Sequence, residues 1–275
     1  MSKHVMECLG MSRVTIVDGK VVEVTEPKVR YCPLFAKVRG IEELNRDTVK
    51  ENIEYRMEHF GMCCENRETE MDNFLSFGIS EILCLALKNR RIDAAVIAAD
   101  GCGSAVITEP SLVQGMGGRI SGICETEPIP KVVDAIGPEN MVDPATARID
   151  QVEGVGLAYS KKFRKVAVTT PFVKDAQMLR DIYGSELIII GVHTTGMSEE
   201  DAKAAFEVFD IITACASRYL REECHKRDDI LVVGNKVPVY GVSEAGKVLV
   251  QDKLDELGKE PWNPSVPEEP PVPLL

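Results

Sequence analysis

One stretch decides the fold of this chain: residues 94–104 read AAVIAADGCGS. An unbroken apolar run ends abruptly at Asp100, and two glycines then flank Cys102. Such a run bounded by glycines is typical of a strand buried on both faces of a sheet. In open α/β sheets, ligands gather just beyond the carboxyl ends of these strands. We therefore expect Asp100 and Cys102 to be catalytic and Ser104 to contact a ligand.

A regular alternation of strands and helices begins near residue 165. Apolar β-type runs separated by helical segments lie at residues 166–169, 187–192, 211–214 and 230–233. Strands separated by helices of this length form right-handed crossovers. The pattern therefore predicts an α/β fold with a mainly parallel sheet, helices on both faces, and Ala94–Ala99 as a further strand.

The residues before this core predict a hairpin and a helical segment. Two β-branched runs flank Asp18-Gly19, a dipeptide that tolerates the positive φ angles of a type I′ turn. Residues 13–24 should therefore form a β-hairpin. A helix should follow at residues 47–60 and end at Gly61.

Three regions follow from these elements. We expect residues 1–91 to be an N-terminal hairpin and helical region that packs on an α/β core of residues 92–258. Residues 259–275 are rich in proline. This tail should be extended and mobile, with Trp262 as the only residue that docks.

The composition limits the classes of partner. The 275 residues carry a formal net charge of −12, which repels phosphate backbones and anionic lipid. No apolar run approaches the roughly 18 residues of a membrane span, and no secretory signal is present. We expect a cytoplasmic protein that binds neither nucleic acid nor membranes.

The loops after the predicted parallel strands should converge on one edge of the sheet. His193 would be the acid or base there. The hydroxyls and the cation that would bind a small anionic ligand are those of Thr169, Thr170, Thr194, Thr195, Ser217 and Arg218. Helix N-termini favour an anion at such an edge. The alternative is that these residues only cap helices and close turns.

A second glycine cluster follows residue 114. It lacks the G-x-G-x-x-G pattern of dinucleotide sites. We interpret it as a lid whose ligand-binding residues are Gln114, Gly117, Gly118 and Arg119. The alternative is a structural bend that needs small residues.

The nine cysteines suggest a metal site. Cys32 precedes a proline, and Cys63 and Cys64 follow a helix end, so three thiols could meet as ligands of an iron-sulfur cluster. No C-x-x-C motif is present. The alternative is that the cysteines are buried as small apolar groups.

Six motifs of this chain are distinctive: CPLF at 32–35, FGMC at 60–63, DNFLSFG at 72–78, QGMGGRISG at 114–122, RIDQVEG at 148–154 and VHTTG at 192–196. In these motifs the chain resembles the methanogenesis marker protein 8 family of methanogenic archaea. The resemblance implies an anaerobic cytosolic setting linked to methane metabolism. It transfers no catalytic residues.

Three function hypotheses follow. The first is an accessory or maturation factor for methyl-coenzyme M reductase or its cofactors, partnered by that enzyme or its assembly machinery. The second is an enzyme that acts on a small anionic metabolite, a phosphate or carboxylate, in coenzyme biosynthesis. The third is a ligand-binding or scaffold protein without catalytic activity.

Overall fold

The structure is a computed structural model, and it describes residues 2–72, 77–118, 120, 122–263 and 265–275. Its strands are β1 (Lys3–Cys8), β2 (Ser12–Val17), β3 (Lys20–Val24), β4 (Ala94–Ala99), β5 (Gly103–Ile107), β6 (Ile123–Glu125), β7 (Val166–Thr170), β8 (Leu187–Gly191), β9 (Ile211–Thr213), β10 (Leu231–Val233) and β11 (Val239–Gly241). Its helices are α1 (Pro33–Arg39), α2 (Arg46–Phe60), α3 (Ile79–Lys88), α4 (Pro110–Gly117), α5 (Pro130–Ile136), α6 (Gln151–Ser160), α7 (Val173–Tyr183), α8 (Glu199–Val208), α9 (Arg218–Cys224) and α10 (Glu244–Leu257).

The larger sheet has the strand order β10-β11-β9-β8-β7-β4-β5. Its central strands β4, β7, β8 and β9 are mutually parallel, which confirms the mainly parallel core predicted from the sequence. Its outer strands differ, because β5 is antiparallel to β4 and β11 is antiparallel to both β9 and β10. Only residues 100–102 join β4 to β5, and so short a connection cannot make a parallel crossover.

Two apolar clusters divide the side chains of the central strands. Ala95, Ile97 and Ala99 of β4 join residues of α3, α4, α5 and α10 in one cluster. Ala94 and Val96, the alternate positions of the same strand, join residues of α6, α7, α8 and α9 in the other. Because strand side chains alternate between faces, these near-continuous apolar strands supply both clusters.

A smaller antiparallel sheet has the order β3-β2-β1-β6. The predicted hairpin is present as β2 and β3, with Asp18 and Gly19 at positive φ in the turn. Strand β6 comes from the segment after the second glycine cluster and pairs with β1. A third apolar cluster holds this sheet against α2, through residues such as Met6 and Ile53.

The proline-rich tail contacts the body of the protein at more points than Trp262. Val272 pairs with Tyr31 in an isolated bridge. The Glu268 carboxylate accepts from the guanidinium of Arg221 at 2.6 Å, and the backbone N–H of Leu275 donates to Ala216. The expectation that Trp262 alone docks is therefore wrong. Across the residues described, none of the helices is both long and apolar enough to span a membrane.

Gly246 tests how tightly α10 packs against β9. A Cβ at this position would lie 1.9 Å from the backbone oxygen of Asp210. We expect Gly246→Ala to lower the free energy of unfolding by about 3 kcal/mol, since backbone must move to make room. Gly156→Ala is the matched control in α6, where the nearest atom is 4.0 Å away. Urea denaturation should show an unchanged or higher stability for the control. Equal stability of the two variants would contradict this packing.

Candidate functional site

The small sheet lies against the carboxyl edge of the parallel strands. The Glu7 carboxylate at the end of β1 contacts His193 after β8, and a Cβ at Gly196 would meet the Met11 side chain. The backbone N–H of Gly101 donates to Thr126 Oγ1 at 2.8 Å. The loops at this edge are therefore covered in part by the N-terminal sheet.

His193 and Glu7 form the most distinct polar pair of this edge. The imidazole Nε2 lies 2.9 Å from Glu7 Oε1, and the two side chains are 28% and 33% exposed. The hydrogen bond from His193 is the main cause that lowers the pKa of Glu7. The carboxylate is therefore held ionised next to an imidazole that solvent can reach.

Backbone geometry holds the His193 ring in place. His193 has a φ of 56°, a left-handed conformation that few residues with a side chain adopt. Its ring lies against Gly122, where a Cβ would come within 2.5 Å of His193 Cε1 and 2.3 Å of the Glu7 backbone oxygen. A glycine is required at this position. Gly122, the last residue of the second glycine cluster, thus leaves the space that the His193 ring occupies.

Asp100 and Cys102 are enclosed in the protein. Both are 0% exposed. Asp100 accepts from Arg67 Nε at 3.0 and 3.1 Å and from the backbone N–H of Cys63 at 2.7 Å. Burial raises the pKa of the Cys102 thiol to about 12. The geometry therefore favours a structural role for both residues rather than the catalytic role we expected.

Most of the predicted ligand-binding hydroxyls form hydrogen bonds with other groups of the protein. Thr170 Oγ1 accepts from Phe172 N–H and Thr195 Oγ1 accepts from Ala216 N–H. Thr194 donates to a backbone carbonyl of β9. Ser104 Oγ donates to a side chain of α6 and accepts the Asp150 N–H. These contacts match the alternative of turn closure and helix capping.

Three further candidates for ligand binding are buried or paired with another residue. Thr169 is buried, and Ser217 Oγ is buried with no hydrogen-bond partner in the part of the chain that the structure describes. Arg218 is 60% exposed and pairs with Glu222 of its own helix at 2.7 Å. Its backbone N–H donates to the Leu275 oxygen, so the tail occupies the start of α9.

The first part of the second glycine cluster, residues 115–118, forms the end of α4 where the sequence predicted a lid. Gly117 ends α4, and Gly118 is its C-cap. Gln114 is buried and donates to the Glu81 carboxylate at 2.9 Å. The cluster needs small residues because a Cβ at Gly115 would lie 2.1 Å from the Thr69 backbone oxygen. Arg119 lies outside the described residues.

The three cysteines predicted to bind a cluster lie on two different elements of the fold. Cys63 and Cys64 follow α2 near Asp100. Burial is the main cause that raises the pKa of both thiols, and the charge of Asp100 raises it further. Cys32 is the N-cap of α1 and is near enough to Cys215 to contribute to the raised pKa of that thiol, of which burial is the main cause. Within the described residues, no three His, Cys, Asp or Glu side chains are grouped closely enough to hold a metal ion. The iron-sulfur cluster therefore stays a prediction.

Sequence reasoning missed Glu7, Gly122 and Arg67. Glu7 lies 186 residues from its partner His193, and Arg67 is 33 residues from Asp100. No local pattern marks either contact. The sequence held one signal for the second contact. Asp100 directly follows a strand predicted to be buried, and a carboxylate buried there needs a cationic partner.

Comparison with known proteins identifies a family and a close relative. A family model described as "Uncharacterized protein conserved in archaea (DUF2099)" matches residues 4–255. The "Uncharacterized protein MJ0054" of Methanocaldococcus jannaschii is 44% identical over 266 residues. The alignment covers 94% of this chain and 93% of that relative. The family match therefore spans both sheets, and positions 7 and 193 lie within the matched range.

Arg67 tests the buried pair. Arg67→Met leaves the Asp100 carboxylate buried without its cation, and we expect the free energy of unfolding to fall by about 3–5 kcal/mol. The control is Arg218→Ala, which breaks an exposed ion pair and should cost less than about 1 kcal/mol. Urea denaturation of both variants measures the difference. A loss in Arg67→Met no larger than in the control would show that the pair does not hold the fold.

Proposed function

We propose that this chain, which belongs to the DUF2099 family of proteins conserved in archaea, acts in methane metabolism through acid-base chemistry at His193. In this proposal it is a cytoplasmic accessory or maturation factor for methyl-coenzyme M reductase or its cofactors. Its ligand is a small anionic molecule at the carboxyl edge. The observation that carries the proposal is the His193–Glu7 pair held over Gly122.

The pair supports acid-base chemistry for a physical reason. A carboxylate that accepts from one ring nitrogen fixes the tautomer and orientation of a histidine, and it stabilises the imidazolium that forms when the ring takes a proton. With Nε2–H donating to Glu7, Nδ1 is the basic atom of the neutral ring. His193 would remove a proton from the ligand through Nδ1, while Glu7 balances the new charge.

The setting of the proposal comes from similarity. The motifs at residues 114–122 and 192–196 both resemble the methanogenesis-linked family, and they contain Gly122 and His193, the two residues that meet in the site. The close relative comes from Methanocaldococcus jannaschii. These observations support methane metabolism as the setting and leave the ligand to be identified by experiment.

Ligand retention tests the proposal. Wild-type protein purified without oxygen and examined by native mass spectrometry should carry a small anionic ligand, and His193→Gln should lose it. The matched control is His225→Gln, which removes a histidine whose Nε2 lies 3.3 Å from the Glu268 carboxylate outside this edge. Equal retention in the two variants would contradict a site at His193. Iron analysis of the same wild-type protein tests the predicted cluster at Cys32, Cys63 and Cys64.

The acid dependence of stability tests the pair itself. Because the hydrogen bond from His193 lowers the pKa of Glu7 below its ordinary 4.5, Glu7 contributes stability above pH 4.5 that is lost as the pH falls through its folded pKa. His193→Ala should raise the pKa of Glu7. The variant should therefore be less stable than the wild type at neutral pH, and the difference should shrink below pH 4.5. Urea denaturation at each pH measures it, and a difference independent of pH would rule out the ionised pair.

A further inference from the structure

A concave site lies at the end of the large sheet opposite to His193, where the parallel strands begin. Its cavity has a volume of about 570 Å³ and is lined by Tyr159, Lys162, Phe163, Arg164, Lys165 and Glu186. Small-molecule sites commonly enclose about 300–1,000 Å³. The cavity is therefore large enough for a metabolite, and it is distinct from the carboxyl edge.

The loop from α6 to β7 gives this cavity its positive charge. Lys162, Arg164 and Lys165 lie within four residues of each other. The Asp93 carboxylate accepts from the backbone N–H groups of Arg164 and Lys165 at 3.0 Å each, so it anchors the loop backbone. In the described part of the chain, no carboxylate oxygen lies within 4.0 Å of these three cationic groups, whereas Arg91 nearby pairs with Asp252 at 2.7 Å.

Two cationic residues near this cavity have left-handed backbone conformations that cost free energy. Lys162 follows the end of α6 at a φ of 69°, where glycine is the usual residue. Arg90 follows α3 in the same way at a φ of 57°, and its backbone oxygen accepts from Lys165 Nζ at 3.5 Å. The dipole of a helix favours a cation at its C-terminus, which applies to Lys162 and Arg90. The effect falls off within the last turn of the helix, so it does not account for Arg164 and Lys165 further along the loop.

Tyr159 and Phe163 form an aromatic wall of the same cavity. Tyr159 stacks on Tyr183 with ring centroids 4.5 Å apart and planes 7° apart. Its hydroxyl is buried and has no hydrogen-bond partner among the residues that the structure describes. Burial, with the nearby Glu186 charge, raises the pKa of Tyr159, so the hydroxyl stays protonated and can donate.

We propose that this cavity binds a small phosphorylated molecule, with Arg164 and Lys165 pairing with its phosphate groups and the Tyr159 hydroxyl donating to one of them. Arg binds phosphate through two parallel N–H donors, and Lys binds it as a point charge. The planar aromatic wall would contact the rest of the molecule. This site does not depend on the proposed function at His193, because the two lie at opposite ends of the sheet.

Calorimetric titration of inorganic pyrophosphate into the full-length protein tests the proposal, with citrate as the carboxylate probe. We expect pyrophosphate to bind the wild type, and Arg164→Ala/Lys165→Ala to weaken binding by about 100-fold, since hydrogen bonds to charged groups are lost. Tyr159→Phe keeps the charge and should weaken binding by about tenfold. The matched control Lys131→Ala/Lys259→Ala removes the same charge from exposed positions elsewhere and should leave the affinity within about threefold.

Four outcomes would overturn the proposal. Absence of pyrophosphate binding at millimolar concentration would show that there is no phosphate site. Equal weakening in the control variant would show a general charge effect without a site. Citrate binding more tightly than pyrophosphate would assign the cavity to polycarboxylates instead. An unchanged affinity in Tyr159→Phe, with loss in the charge variant, would place the phosphate away from this cavity wall.

Discussion

The buried ion pair between Arg67 and Asp100 is the interaction on which the rest of the structure depends. Both side chains are 0% exposed, and the Cys63 N–H completes the shell of the carboxylate. Removing two charges from water costs free energy, and their mutual attraction offsets that cost only while the pair is intact. The pair therefore ties the segment after α2 to the carboxyl end of β4. Thr126 adds a second tie through its bond from Gly101, and its hydroxyl lies 2.7 Å from His4 Nδ1.

These ties explain how an acid-base pair forms between distant residues. They hold β1 beside the large sheet, and side chains alternate along a strand. His4 therefore takes part in the tie near β4, while Glu7, three residues on, lies on the other face of β1 and meets His193. Gly122 completes the contact, since any larger residue would occupy the space of the imidazole ring. The geometry of the site is thus a consequence of the packing of the two sheets.

The sequence predicts the elements of this protein well and their contacts poorly. Runs such as 166–169 and 187–192 reveal strands because burial on both faces leaves an apolar pattern that can be recognised locally. His193 could be placed at the carboxyl edge because parallel strands share that edge. Its partner could not be found, because β1 joins the edge only through tertiary contacts. The Thr and Ser hydroxyls illustrate the same limit, since one sequence pattern serves both anion binding and capping.

The two ends of the parallel strands differ in electrostatic character, and helix direction accounts for part of the difference. Helices that follow parallel strands begin at the carboxyl edge and end at the opposite edge, so partial positive charge collects at the first and partial negative charge at the second. The dipoles of α3 and α6 thus balance part of the charge of Arg90 and Lys162. The net charge of −12 repels anions from most of the surface. An anion is therefore attracted to the few places where cations outnumber carboxylates, and the loop from α6 to β7 is such a place.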